Sequence, residues 1–184
     1  MQNAIGVGMW RLPLAGVFLS ISLSGATLEQ LSFDDLVQKS TAIVTAKVVD
    51  SHADFRGKEL FTHWKLQVEK QWKGVAVGEV MAPGGILRGY RQGVPGAPEL
   101  TVGKEYVLFL WTSKSGNTYL TGWGQGVFEL SNDESGKPVA TRAAVGETMV
   151  EHGTWRRVRD SGLQMHYAEL TARISAGLGK GGSR

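Results

Sequence analysis

Tyr106-Val107-Leu108-Phe109-Leu110-Trp111 (YVLFLW) is an unbroken apolar run with no polar residue at alternate positions. A strand with one wet face alternates, and this one does not. It therefore reads as a central strand covered on both sides. Working outward, Thr118 to Trp123 and Gly126 to Leu130 give two further strands joined through Gly124, and Asn132 to Lys137 is a polar hairpin turn before a short strand over Val139 to Thr141. Upstream, Leu60 to Trp72 alternates cleanly. Trp64, Leu66 and Val68 point one way, while His63, Lys65, Gln67 and Glu69 face water. Thr41 to Val49 (TAIVTAKVV) is a mostly buried strand followed by a polar turn from Asp50 to Lys58, and Glu79 to Ala82 is a shorter strand. About six short strands with turn signals between them predict a mainly β chain, folded as a small antiparallel barrel or sandwich.

Helices flank the strands. Ser32 caps a short helix, Asp35 completes its capping box, and Phe33, Leu36 and Val37 share one face, suited to plugging an end of a sheet. Near the C-terminus, Leu163, Tyr167, Leu170 and Ile174 fall at helical steps, with Ser161 as the start and Gly177 as the stop. Residues 177–184 are half glycine with two cations and read as a disordered tail.

The N-terminus reads as an export signal. Arg11 is the only charge before Glu29, and Leu12 to Leu23 is apolar or small, shorter than the ~20 residues that span a bilayer. Ser24-Gly25-Ala26 supplies small residues for cleavage after Ala26, and Met9 is an alternative start directly before Arg11. The predicted organisation is a signal peptide over 1–26, a β domain over 27–150, a helical segment over 151–176 and the tail. The product is expected in the periplasm or the medium, with no stable membrane span once the signal is removed.

The chain holds no cysteine. That excludes a disulfide framework, a thiolate metal site, a cysteine nucleophile and a lipoprotein anchor. The core alone must stabilise the fold, which suits a mature chain of about 158 residues that buries roughly 70% of its unfolded surface. The net charge of +3 includes Arg11 and a cation-rich C-terminus, so the body is nearly balanced. Nucleic-acid binding wants a basic stripe with interleaved aromatics, and Arg156-Arg157-Arg159 fits a solvated face better. No nucleic-acid partner is expected, and no feature specifies an oligomeric state.

The strand TAIVTAKVVDS (41–51), the strand FTHWKLQVEKQWKG (61–74), the Pro83-Gly84-Gly85 turn, GAPELTVGKEYVLFL (96–110) and GWGQGVFEL (122–130) together resemble a family of exported bacterial proteins. Their domain is similar to the barrel of the tissue inhibitors of metalloproteinases and of netrin modules, a variant of the oligonucleotide/oligosaccharide-binding (OB) barrel. The resemblance covers roughly residues 40 to 131. It implies a closed or nearly closed five-stranded barrel, with Lys73-Gly74 turning out of the long strand and the 106–111 strand at its centre. The inhibitor mechanism does not transfer, because those inhibitors chelate the protease zinc through an N-terminal cysteine held by disulfides.

No Gly-x-Ser-x-Gly elbow, His-Glu-x-x-His or phosphate-binding loop is present, which lowers the expectation of an enzyme, and no cofactor is implied. The histidines at 52, 63, 152 and 166 lack the close spacing of paired metal ligands, so no metal site is assigned. His52 with Asp54 is the nearest pair, on a turn that reads as solvated. His63 and His166 read as surface or rim residues. The segment from Pro83 to Lys104, rich in glycine and proline, is the best binding candidate. There Arg88, Tyr90, Arg91 and Gln92 offer guanidinium groups and a ring to an anionic or sugar-like ligand, unless they only keep the loop soluble. Trp123 and Gln125, set among glycines, offer an aromatic platform, or else Trp123 fills a barrel end. Trp64 and Trp111 read as core. The function that follows is an exported binding module acting through a barrel-end loop on a protein or polysaccharide of the cell envelope. The alternatives are an envelope hydrolase using His52, Asp54 and Glu59, or a structural accessory protein.

Overall fold

The computed structural model describes residues 27–75 and 77–181; the expected signal peptide, its expected cut after Ala26, the alternative start at Met9 and the last three residues of the expected tail lie outside them. In chain order the elements are β1 (Thr27–Gln30), α1 (Phe33–Lys39), β2 (Ala42–Arg56), β3 (Glu59–Lys73), β4 (Glu79–Pro83), β5 (Gly85–Leu87), β6 (Tyr90–Gln92), β7 (Glu105–Thr112), β8 (Thr118–Leu120), a 3-10 turn (Trp123–Gly126), β9 (Val127–Asn132), β10 (Pro138–Arg142), β11 (Thr148–Glu151), β12 (Arg157–Val158), β13 (Leu163–His166) and α2 (Tyr167–Gly181). The chain is mainly β.

Strand β7 is central, as its apolar run predicts. The main sheet runs β13-β10-β9-β7-β2-β3-β4-β8, and β8 also pairs with β7, so hydrogen bonding passes from β7 through β2, β3, β4 and β8 back to β7. Every pairing in that circuit is antiparallel except β4 with β8, where Met81 faces Tyr119.

Side chains of β7 alternate between two cores. Tyr106, Leu108 and Leu110 join Val44, Val48, Trp64, Leu66, Val80 and Leu120 on the inner side. Val107 and Phe109 join Ile43, Phe128 and Ala140 on the outer side, beneath Leu36 and Val37 of α1 and Leu170 and Ile174 of α2. Trp64 is core as expected, but Trp111 is 46% exposed. It shares the outer face with Phe109, and the helical layer stops short of it.

Helix α1 carries the capping box that its sequence predicts: the Asp35 amide donates to Ser32 Oγ, and the Ser32 amide donates to the Asp35 carboxylate. Bound by that reciprocal pair, the Asp35 carboxyl is held below its ordinary range, Ser32 Oγ–H being the main cause.

Four expectations about the chain's elements also need correction. The polar stretch 50–58 is not a turn, because β2 continues to Arg56 and only Gly57-Lys58 turns the chain. A bulge between Val48 and Asp50 explains this. With two residues of β2 set against one of β3, even-numbered side chains that pointed inward up to Val48 point outward from Asp50 on, so the polar residues line a wet face without leaving the strand. The Pro83–Lys104 segment, in turn, is not wholly irregular, since β5 and β6 form a hairpin in it. Its two-residue turn, Arg88-Gly89, has positive φ at both positions (50° and 82°), the type I′ signature. Third, residues 151–166 are strand and loop rather than helix: Leu163 lies opposite Arg142 at the sheet edge, and α2 begins at Tyr167. Last, Gly177 does not end that helix, which runs to Gly181. A Cβ there would stand 3.0 Å from Val37, so the glycine lets α2 lie close on α1.

Candidate functional site

The helical layer covers the Trp72 end of β3, and on the outer face beyond it, over β3, β4 and β8, two features lie side by side. The first is an apolar cleft of about 740 Å³. Phe61 comes from β3, Met81 and Pro83 from β4, Tyr119 from β8, Trp111 from the end of β7, Trp123 from the 3-10 turn, and Pro98 from the loop between β6 and β7. Trp111 and Tyr119 are cross-strand partners with rings 5.9 Å apart. Lys39, Glu59 and Thr121 are the polar groups on its margin.

The second feature is a histidine held between carboxylates. His63 faces His52 across the β2–β3 hairpin and Met81 across β4. Its side chain is only 3% exposed; Nδ1 lies 2.8 Å from Glu79 Oε1 and Nε2 lies 3.0 Å from Asp54 Oδ1. The exposed His52 ring stacks on it at 4.8 Å. Beside the cluster, Lys65 binds Asp50 at 3.0 Å and holds its carboxyl below the ordinary carboxylate range. His63 is thus on the face the alternation predicts, but it is buried rather than a surface residue. The neighbours that bury it come from the extension of β2 and from β4. One signal was available: residues equidistant from a tight turn at Gly57-Lys58 face each other, and His52 and His63 are such a pair.

No family model matches the chain, and no curated protein matches it in sequence. Among the described residues no helix is long and apolar enough to cross a membrane.

The six predicted binding residues separate. Arg88, Tyr90 and Arg91 stay together, exposed on the β5–β6 hairpin, where the Tyr90 ring leans on Phe55 at 5.5 Å. Gln92 is turned inward, and its side-chain oxygen accepts the Leu60 amide at 2.9 Å, pinning the hairpin to β3. Trp123 lines the cleft. Gln125 is buried, donating to the Glu29 carbonyl at 2.9 Å and accepting from the Leu31 amide at 2.8 Å, so both ends of its amide strap the β1 segment to the body. Gln125→Ala is expected to lose about 1–3 kcal/mol in urea unfolding, because two backbone groups lose their partner. The predicted hydrolytic set also divides: Asp54 binds His63, His52 stacks on it, and Glu59 stands at the cleft. Phe61, Met81, Trp111 and Tyr119 were missed, because only the β4–β8 and β7–β8 pairings bring them to one place.

Proposed function

We propose that the protein is an exported binding module with an OB-like barrel, and that its outer cleft holds an extended apolar segment of a protein partner. The observation that carries this reading is the convergence of Phe61, Met81, Trp111, Tyr119 and Trp123 on one open cleft, with Trp111 left half exposed. Aromatic and thioether side chains around a concavity with few polar groups suit apolar side chains of a ligand. A polysaccharide would need more hydrogen-bonding groups beside the rings than Lys39, Glu59 and Thr121 provide. The circuit of pairings through β7, β2, β3, β4 and β8, with its one parallel contact, supports the OB-like reading and the kinship with the inhibitor and netrin barrels. Export rests on the sequence of residues 1–26.

Peptides with alternating aromatic and aliphatic residues are expected to change the tryptophan fluorescence of the purified protein saturably, while neutral oligosaccharides leave it unchanged. Trp111→Ala is expected to weaken the peptide complex by about 30-fold, the cost of about 2 kcal/mol typical of a central aromatic anchor. If a Trp111→Ala/Tyr119→Ala protein captured from envelope extracts every partner that the unaltered protein captures, the cleft would not be the binding surface.

A further inference from the structure

The buried imidazole of His63 poses a question of proton count. A neutral histidine has one N–H and one lone pair, yet both nitrogens of His63 face carboxylate oxygens, at 2.8 and 3.0 Å. One contact sets a lone pair against an anion unless a second proton or another cation lies there. The surroundings offer more than a proton needs. His52 brings a second imidazole to the same spot, and ligand atoms of His52, His63 and Glu79 all lie within 4.8 Å of one another.

We propose that His52, His63 and Glu79 bind a divalent transition-metal ion of the zinc class, with Asp54 as the outer carboxylate that orients His63. Glu79 Oε1 and His63 Nδ1 stand 2.8 Å apart. Tetrahedral ligands of an ion bound at about 2.0–2.2 Å stand about 3.4 Å apart, so this pair must part slightly to admit it. Nε2–H of His63 then donates to Asp54, the carboxylate–histidine–metal arrangement that fixes a ring and raises its basicity. The third ligand, His52, must close in from as far as 4.8 Å, by about an ångström or more. His52 is exposed and stacked rather than hydrogen-bonded, which leaves its ring free to turn inward.

Two imidazoles and a carboxylate suit zinc, copper and nickel, whereas magnesium and calcium take oxygen ligands. Three protein ligands leave a fourth position open, on the side where His52 meets solvent. The site adjoins the cleft, since Met81 is the β4 neighbour of His63 and also lines the cleft, but it stands independently of what the cleft binds.

Calorimetric titration of the chelator-treated full chain with zinc is expected to give saturable one-to-one binding, with no heat from magnesium. His52→Ala and Glu79→Gln are each expected to weaken it by about 100-fold or more, and Asp54→Asn by about 10–100-fold, the usual cost of losing an outer partner. His152→Ala, which alters the separate pair with Glu29, is expected to leave it unchanged. Replacing the buried His63 risks the fold, so the exposed His52 is the deciding position, with circular dichroism confirming that each variant is folded. If the unaltered chain binds no zinc saturably, or if folded His52→Ala and Glu79→Gln bind it as well as the unaltered chain, the proposal is overturned and His63 is a proton-bridged tie between strands.

Discussion

Phe109→Ala is expected to lower the free energy of unfolding by about 3–5 kcal/mol. The ring is fully buried on the outer face of β7, edge-on to Phe33 at 5.7 Å and tilted against Phe128 at 5.8 Å. It therefore joins the first turn of α1 to β7 and β9. Cutting it to a methyl group removes buried apolar surface and leaves a void that the surroundings are poorly placed to fill. Helix α1 is fixed against α2 through the close Val37–Gly177 contact, and both strands are held by neighbours on each side. Cavity cost is largest where collapse is blocked. With a total stability of about 5–15 kcal/mol for a domain of this kind, the variant would be near its limit. Trp111→Ala, two residues along the same face, serves as the control. Its ring is half exposed, so it should cost much less in urea unfolding while weakening partner binding. Similar losses for the two variants would contradict the reading that the helical layer covers Phe109 and stops short of Trp111.

How much of this was legible in the sequence depends on the range of the interaction. The double-sided burial of β7 and the capping box of α1 are local, and YVLFLW and Ser32-Phe33-Asp34-Asp35 state them directly. The alternation of β3 is local as well, and it placed His63 on the correct face. Alternation gives direction and not depth: His63 is buried because Asp54 and Glu79, from two other strands, close over it. The bulge at Val48–Asp50 was illegible for a related reason. Counting by twos assumes an unbroken ladder, so a strand that changes faces looks like a strand followed by a polar turn. Leu163 satisfied a helical step and a strand position equally, and only its pairing with Arg142 decides between them. The cleft demanded most, because its residues come from four strands, a turn, a loop and the end of α1, brought together by one parallel and several antiparallel pairings that no local pattern encodes.

Asp160→Asn is expected to cost about 3 kcal/mol at neutral pH, for a reason separate from packing. The Asp160 carboxylate accepts two bonds from the Arg142 guanidinium, at 2.5 and 2.7 Å, and further bonds from the amides of Val145 at 2.8 Å and Gly162 at 3.3 Å. Both side chains are largely buried, 12% exposed for Arg142 and 6% for Asp160. This cluster ties the end of β10 to the loop that leads into β13, and so fixes the edge of the sheet on which α2 begins. The Arg142 hydrogen bonds hold the Asp160 carboxyl below its ordinary value of 3.8, against the opposing effect of burial. A carboxyl lowered in the folded state adds stability that is fully present above its unfolded value and is lost as pH falls through the lowered one. The unaltered protein should therefore lose stability below about pH 4. The asparagine variant leaves the Arg142 cation buried without its counter-charge at every pH, and it has no carboxyl there to titrate. Urea unfolding at pH 7, 5 and 3 would thus show a wide gap between the two proteins at neutral pH that narrows in acid. Removing both charges, as Arg142→Met/Asp160→Leu, should recover part of the loss, with the Val145 and Gly162 amides still unpaired. A gap that stays constant down to pH 3 would mean that the Arg142–Asp160 pair is not what holds this edge of the sheet.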